Sequence, residues 1–330
     1  MLLQLKHFIR AIITRNYLPC YVYSHSPMIV FAYDSDFTGN AEEFCRHFRK
    51  YAKVYLFLQL GWQHETDNMA LPFAEKLQKI QTECPQLNIT VLANSPAEET
   101  KLKSLGIHTV FCHQNAFVDE HKYLIRPHVK KNYDAIYVAR IAPFKRHSLA
   151  RDITSLSLIG DYHKREKPYA DEVLAILNHA ARLENIPASA MSEYIAKAKC
   201  GLCLSAEEGA MFVSVEYLLC GLPIVNTPNL GGRDFLFPDF AVKTVDADPA
   251  AIAAAVKSFV VNPIDPWLIR NATIQKMRGF RTILQQLIAD IYRVNQRPVI
   301  PENIFFPHKL GLRCTKMPWV NFFHGLKRGN

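Results

Sequence analysis

LCLSAEEGAMFVSVEYLLCGLPIVNT, residues 202–227, decides how the chain is read. Its apolar opening, ending at Ser205, has the composition of a buried strand. The acidic turn Glu207-Glu208-Gly209 follows. A helical pattern then runs from about Phe212 to Leu219 and stops at Gly221-Leu222-Pro223, and Ile224-Val225 begins another strand. Glu208 stands at the mouth of the helix. Glu216 lies on it a little over two turns later, so both carboxylates can face one side of a cleft. The backbone N–H groups of Gly209, Ala210 and Met211 fall at the helix N-terminus, where the dipole and unpaired donors favour an anion such as a diphosphate. The same residues also fit a plainer reading, a capped amphipathic helix with two solvated glutamates.

Upstream, DAIYVARIAPFKRH (134–147) places a strand at Tyr133–Val138, closed by Arg140, with Lys145 past Pro143. Two fixed cations after a strand suit a diphosphate leaving group, whose growing negative charge they can stabilise. An ordinary basic loop is the alternative. Downstream, Gly231-Gly232 allows either close approach of backbone to a ligand or a tight turn. Arg233 either reaches a ligand or pairs with Asp234.

The glutamate pair Glu208-Gly209…Glu216, followed by Gly221-Leu222-Pro223-Ile224-Val225, resembles the donor-site signature of retaining GT-B glycosyltransferases of family 4. The stretch around Arg140 and Lys145 resembles that family's G-R-[LI]-x-x-x-K-G. Here Ala139 replaces the first glycine, Phe144 stands where an acid is common, and Arg146 replaces the last glycine. The resemblance covers residues 88–260 and is strongest at 133–146 and 202–234.

It implies an α/β chain of the GT-B kind, with two Rossmann-like domains facing each other across a cleft. Residues 1–130 would form an acceptor-side domain, short for the family. Residues 131–290 would bind the donor, and the tail 291–330 would cross back or contact a membrane. The implied reaction moves a sugar, with retention, from a nucleotide diphosphate sugar to a glycan or lipid-linked acceptor in polysaccharide or glycoconjugate synthesis. Arg140, Lys145 and the helix end at Gly209–Met211 would stabilise the departing diphosphate. Glu208 would hold the sugar hydroxyls and shape the oxocarbenium ion, and Glu216 would grip the ribose. No cofactor or metal is implied, and no D-x-D pair stands in a suitable setting. An epimerase or phosphorylase of the same fold is the alternative enzyme. A non-catalytic nucleotide-sugar-binding protein is the alternative outside catalysis, favoured by the short first half and the altered glycines.

The remaining chain alternates strands and helices, as parallel sheets covered on both faces require. Pro27–Tyr33 reads as a strand ending in the polar loop Asp34-Ser35-Asp36. Asn40 with Glu43 fits a capping box for a helix to Arg49. Asp34 would lie at a strand's carboxyl end, where open α/β sheets put their ligands, or be a turn residue. His64-Glu65, after the strand Val54–Leu60, would orient an acceptor hydroxyl or sit in a surface loop. Tyr162–Lys167 reads as a solvated excursion. Leu183–Pro187 reads as an edge strand or turn, Ser189 as the cap of a helix to Lys197, and 249–260 and 272–292 as helices.

The chain has 330 residues, enough for two domains, and a formal charge of +9 that suits an anionic partner. No basic stripe with stacking aromatics is present, which sets nucleic acid aside. Residues 2–15 form a basic amphipathic pattern that would lie on an anionic membrane or pack on the protein. Lys6 and Arg10 break that stretch and no small-residue cleavage site follows, so it does not read as a signal peptide. The eight cysteines are scattered. The lone pair Cys200/Cys203 lacks partners for a zinc site and reads as buried free thiols in a reducing compartment. The expected location is cytoplasmic, with peripheral attachment to the inner face of the membrane.

Overall fold

The computed structural model describes residues 18–184 and 186–298. The amphipathic pattern at 2–15 and most of the proline- and aromatic-rich tail lie outside the described residues. The chain divides into two compact units. One takes the chain up to Phe117 and again from Thr282, and the other is Val118–Arg281.

The first unit holds a five-stranded sheet in the order β1-β2-β3-β4-β5. Its strands are β1 (Tyr21–His25), β2 (Met28–Tyr33), β3 (Val54–Gln59), β4 (Leu87–Ala93) and β5 (Thr109–Phe111). β1 runs antiparallel to β2 and the other pairs are parallel. The central strands are buried on both faces, and Phe31 stacks on Phe57 at 4.9 Å across β2 and β3. The helices are α1 (Asp34–Gly39), α2 (Ala41–Phe48), α3 (Asp67–Glu83) and α4 (Pro96–Ser104).

Several local expectations fail here for identifiable reasons. Asp34-Ser35-Asp36 opens α1 instead of forming a loop. Asn40 forms no capping box, because its side-chain amide donates to the Asp36 carbonyl at 2.8 Å. Ser95 does cap α4, accepting from Glu98 N at 3.0 Å. Cys45 on α2 and Cys84 after α3 form a disulfide across 39 residues, a pairing the sequence reading did not contain, while Cys200 and Cys203 are the buried free thiols it expected. Cys20, Cys112, Cys200, Cys203 and Cys220 are buried and outside any disulfide.

The second unit holds a parallel six-stranded sheet in the order β11-β10-β9-β6-β7-β8. Its strands are β6 (Tyr133–Val138), β7 (Leu156–Ile159), β8 (Ala181–Leu183), β9 (Ala198–Cys203), β10 (Ile224–Asn226) and β11 (Val242–Thr244). Its helices are α5 (Lys167–Ile176), α6 (Met191–Ala196), α7 (Phe212–Leu219) and α8 (Pro249–Val261). The last described helix, α9 (Pro266–Val294), passes from the second unit into the first. Ser189 does not cap α6; the N-cap position is Ala190, without a side-chain cap.

Strand order fixes the site. From β6 the chain builds outward through β7 and β8, then returns to the other side of β6 and builds through β9, β10 and β11. The reversal lies between β6 and β9, and such switch points leave a crevice at the strands' carboxyl ends. One side-chain-to-backbone contact holds α7 against this point. Tyr217 packs its ring over Gly201, where a Cβ would approach Tyr217 Cδ2 to 2.2 Å, and its hydroxyl accepts from Val138 N at 2.7 Å. Among the described residues no single helix is long and apolar enough to cross a membrane.

Candidate functional site

Two loops leave the switch point. The cation loop follows β6 and carries Arg140, Phe144, Lys145 and Arg146; the acid loop follows β9 and carries Ser205 to Met211. Ala206 N donates to the Phe144 carbonyl at 2.9 Å, tying them together. A cavity of about 540 Å³ opens beside them. Arg140 and Lys145 line one part of it, the α7 end at Met211, Phe212 and Val213 lines another, and Leu183, Ile186 and Met191 supply apolar wall.

Lys145 Nζ meets Glu208 Oε1, and both side chains are largely buried, at 12% and 8% exposure. Ser205 Oγ donates to the same Glu208 oxygen at 2.5 Å. Lys145 Nζ also stands 5.1 Å from the centre of the Phe144 ring, and the Arg140 guanidinium 5.5 Å from it. An aromatic at the position where the related motif carries an acid thus offers its negative face to both cations. Tyr137, wholly buried, donates from its hydroxyl to the Lys145 carbonyl at 2.5 Å. His147 packs on Tyr137 at 4.6 Å, and burial, then the Lys145 charge, push its pKa down to about 4.

Arg140 faces the same cavity but is held differently. Its guanidinium donates to His163 Nε2 at 2.8 Å and lies 3.5 Å from Glu166 Oε1. The Tyr162–Lys167 stretch is therefore not a free charged excursion. His163 and Glu166, locked by a reciprocal cap around Lys164–Glu166, clasp Arg140.

The acid loop departs from a simple turn. Leu230 N donates to Ala206 O, Glu208 N to Leu230 O and Gly232 N to Gly209 O, all at 2.9 Å. Residues 206–209 are thereby stitched as extended backbone to the loop after β10, and Gly209 and Ala210 are buried. The helix end on the cavity is Met211–Val213, later in the chain than the expected Gly209–Met211, with Met211 left-handed at φ 49° as the N-cap. Glu216 is 3% exposed, and its Oε1 accepts from the Tyr123 hydroxyl at 2.8 Å; neither residue lines the cavity.

In the first unit, Asp34 and His64 meet at the carboxyl ends of β2 and β3. Asp34 Oδ1 accepts from Gly61 N at 3.0 Å, and Oδ2 lies 3.7 Å from His64 Nε2. His64 Nδ1 lies 3.1 Å from the Trp62 carbonyl, which assigns the proton to Nδ1 and turns Nε2 to the acid. Burial pushes the Asp34 carboxyl up and the His64 imidazole down. Glu98 accepts from His64 N at 2.9 Å and Asn94 N at 2.7 Å, and burial raises it to about 7. Among the described residues no group of three or more His, Cys, Asp or Glu is arranged to hold a metal ion.

No protein-family model matches the chain, and no curated protein sequence matches it. Solved structures do resemble it. HepE from Anabaena in complex with UDP superposes with a TM-score of 0.62 at 17% identity, covering 80% of this chain and 78% of that one. The complex of HepE with UDP-glucose gives 0.59 at 17%, covering 77% and 82%. Sucrose-phosphate synthase from Thermosynechococcus elongatus gives 0.59 at 14%, covering 79% of each chain. At these identities the likeness establishes the fold, which is GT-B.

Proposed function

We propose that this chain is a glycosyltransferase of the retaining kind. It would move a sugar from a nucleotide diphosphate sugar to a glycan or lipid-linked acceptor. The observation that carries the reading is the convergence of Arg140, Lys145 and the α7 end on one cavity at the switch point, with Glu208 held against Lys145. The two cations and the helix end would receive the diphosphate, and the apolar wall around Leu183, Ile186 and Met191 would take the nucleoside. HepE, which shares the fold, was crystallised with UDP and with UDP-glucose, which supports a nucleotide sugar as donor here.

Bond cleavage leaves negative charge on the diphosphate and positive charge on the anomeric carbon. Lys145 and Arg140 stabilise the first, and the Glu208 carboxylate the second. No cofactor or metal enters this scheme. Glu216 would reach a ribose by exchanging the Tyr123 hydroxyl for a sugar hydroxyl. Asp34 and His64 would receive the acceptor hydroxyl. The acceptor would be glycan or lipid-linked, and the enzyme would work in the cytoplasm or at the inner membrane face.

Thermal-shift screening against nucleotide sugars tests donor binding first, because a ligand of the folded state raises apparent stability. Nucleotide release with acceptors, with the product's anomeric configuration read by NMR, tests transfer. Inversion would remove the retaining assignment. Conversion of donor alone, or only with phosphate, would instead identify an epimerase or a phosphorylase.

A further inference from the structure

Arg146 occupies the position of the related motif's last glycine, in the left-handed region at φ 51° that L side chains rarely adopt. Its side chain compensates. Nε donates to the Leu204 carbonyl at 2.6 Å, and Nη2 to Ser205 O at 3.0 Å, Thr227 Oγ1 at 2.8 Å and Pro228 O at 3.3 Å. Arg233, fully buried, reaches the same place from the loop after β10. Its Nη1 donates to Ser205 O at 3.1 Å, Nη2 to Thr227 O at 2.5 Å, and Nε to Asp234 Oδ1 at 3.0 Å. Two guanidinium forks thus share the Ser205 carbonyl, and the Ser205 hydroxyl holds Glu208. Like charges this close oppose each other; burial, then the Arg233 charge, push the Arg146 pKa down. Carbonyl dipoles and Asp234 offset that repulsion.

We propose that Arg146 is a positioning residue for sugar transfer, buttressed by Arg233. From the residue beside Lys145 it grips the carbonyls of Leu204 and Ser205 and holds Lys145 in register with Glu208. The inference rests on reading the second-unit cavity as a nucleotide-sugar site. Lysine cannot replace the fork, since one ammonium does not span acceptors at the ends of both β9 and β10. Glycine fits the backbone without strain but lets the two loops move apart.

The test uses the full chain as wild type, Arg146→Gly and Arg146→Lys. The first measurement needs no ligand: the rate at which acetic anhydride modifies Lys145, followed by peptide mass spectrometry. Faster labelling of Lys145 in both variants, with labelling of the exposed Lys79 unchanged and the circular dichroism spectrum retained, is the expected result. Unchanged Lys145 labelling overturns the proposal. The second measurement is UDP release from UDP-glucose. The expected result is a fall in kcat of about 10²-fold with little change in KM, as for a sub-ångström to 1 Å misplacement of catalytic groups. Free guanidinium at non-denaturing concentration should restore much of it in Arg146→Gly only. A rise in KM at constant kcat, or an absence of rescue, would also overturn the proposal. If wild type turns over no member of a nucleotide-sugar panel, the parent reading fails, while Lys145 labelling still judges Arg146 by itself.

Discussion

Lys145→Met removes the cation from the cavity while keeping most of its stem. Lys145 and Glu208 are only 12% and 8% exposed, so the substitution strands a carboxylate that keeps one hydrogen bond, from Ser205 Oγ, and loses its counter-charge. Breaking a buried pair in this way costs about 3–5 kcal/mol, and the residual exposure places this case near the low end, at about 3 kcal/mol. Adding Glu208→Gln discharges the stranded group, and the amide oxygen still accepts from Ser205. The double variant should then regain about 2 kcal/mol relative to the sum of the single effects.

Turnover should not follow stability. If the cavity takes a nucleotide sugar as proposed, Lys145→Met removes about 2–4 kcal/mol of stabilisation from the departing diphosphate, a loss of roughly 30- to 10³-fold. Glu208→Gln weakens the charge that meets the oxocarbenium ion, so the double variant folds better than Lys145→Met and transfers no faster. Urea denaturation of the four proteins gives the coupling energy, and nucleotide release from the nucleotide sugar that stabilises wild type in the thermal-shift screen gives the rates. Stabilities additive to within about 0.5 kcal/mol would show that Lys145 and Glu208 do not act as a pair. A double variant with restored turnover would show that Lys145 serves only to neutralise Glu208.

If Glu216 grips a ribose, Glu216→Gln raises KM for the donor while Tyr123→Phe, which removes one hydrogen bond to Oε1, leaves it equal or lower; equal KM values in wild type and Glu216→Gln would end that role. Glu98 in the first unit and His147 in the second should contribute stability with opposite pH dependence. Glu98, raised to about 7, gives the first unit stability that is complete below the unfolded carboxyl value and is lost as pH rises through 7, and Asp34 shifts in the same direction. His147, lowered to about 4, gives the second unit stability that is complete above the unfolded imidazole value and is lost as pH falls through 4. Each is worth on the order of 3 kcal/mol. His64 and His47, both lowered, act against Glu98 within the first unit, so each contribution is read by difference: the change in urea stability between about pH 5 and pH 7 in wild type, Glu98→Gln and His147→Gln, and a variant that keeps the wild-type pH dependence refutes its assignment. Opening the Cys45–Cys84 bridge, by reduction or Cys45→Ser, should cost about 4 kcal/mol for a loop of 39 residues, and unchanged denaturation after reduction would contradict it.

What could be read from sequence was local. α7 was legible to its ends because Gly221-Leu222-Pro223 stops a helix, and β6 because its apolar run is closed by Arg140. The cations and acids of the site follow from such strand ends. What could not be read depended on residues far apart in the chain. The Tyr123 hydroxyl reaches Glu216 across 93 residues and Arg146 reaches Thr227 across 81. The disulfide and the Asp34–His64 pair are hidden in the same way. Asn40 shows a subtler limit: its side chain has the right chemistry for a cap, but the neighbouring Asp36 carbonyl uses its donor end. Arg146 stood in plain view as a departure from the related motif, yet its use emerges only when the carbonyl ends of β9 and β10 are placed beside it.

The charge arrangement explains why that departure matters. Arg140 pairs with Glu166, Lys145 with Glu208 and Arg233 with Asp234. The hydrogen-bond partners of Arg146 are carbonyls and the Thr227 hydroxyl, without a carboxylate. With Glu207 on the acid loop the acids here equal the cations in number, and what sets Arg146 apart is that dipoles hold it, beside the buried Ser205 and Glu208. Screening is weak there, and a fixed cation attracts an anion more strongly than it would at the surface. An arginine that needed only to brace the loops would work as well with a carboxylate beside it. Using carbonyls and a hydroxyl instead keeps Glu208 paired with Lys145, so the brace does not compete for the carboxylate.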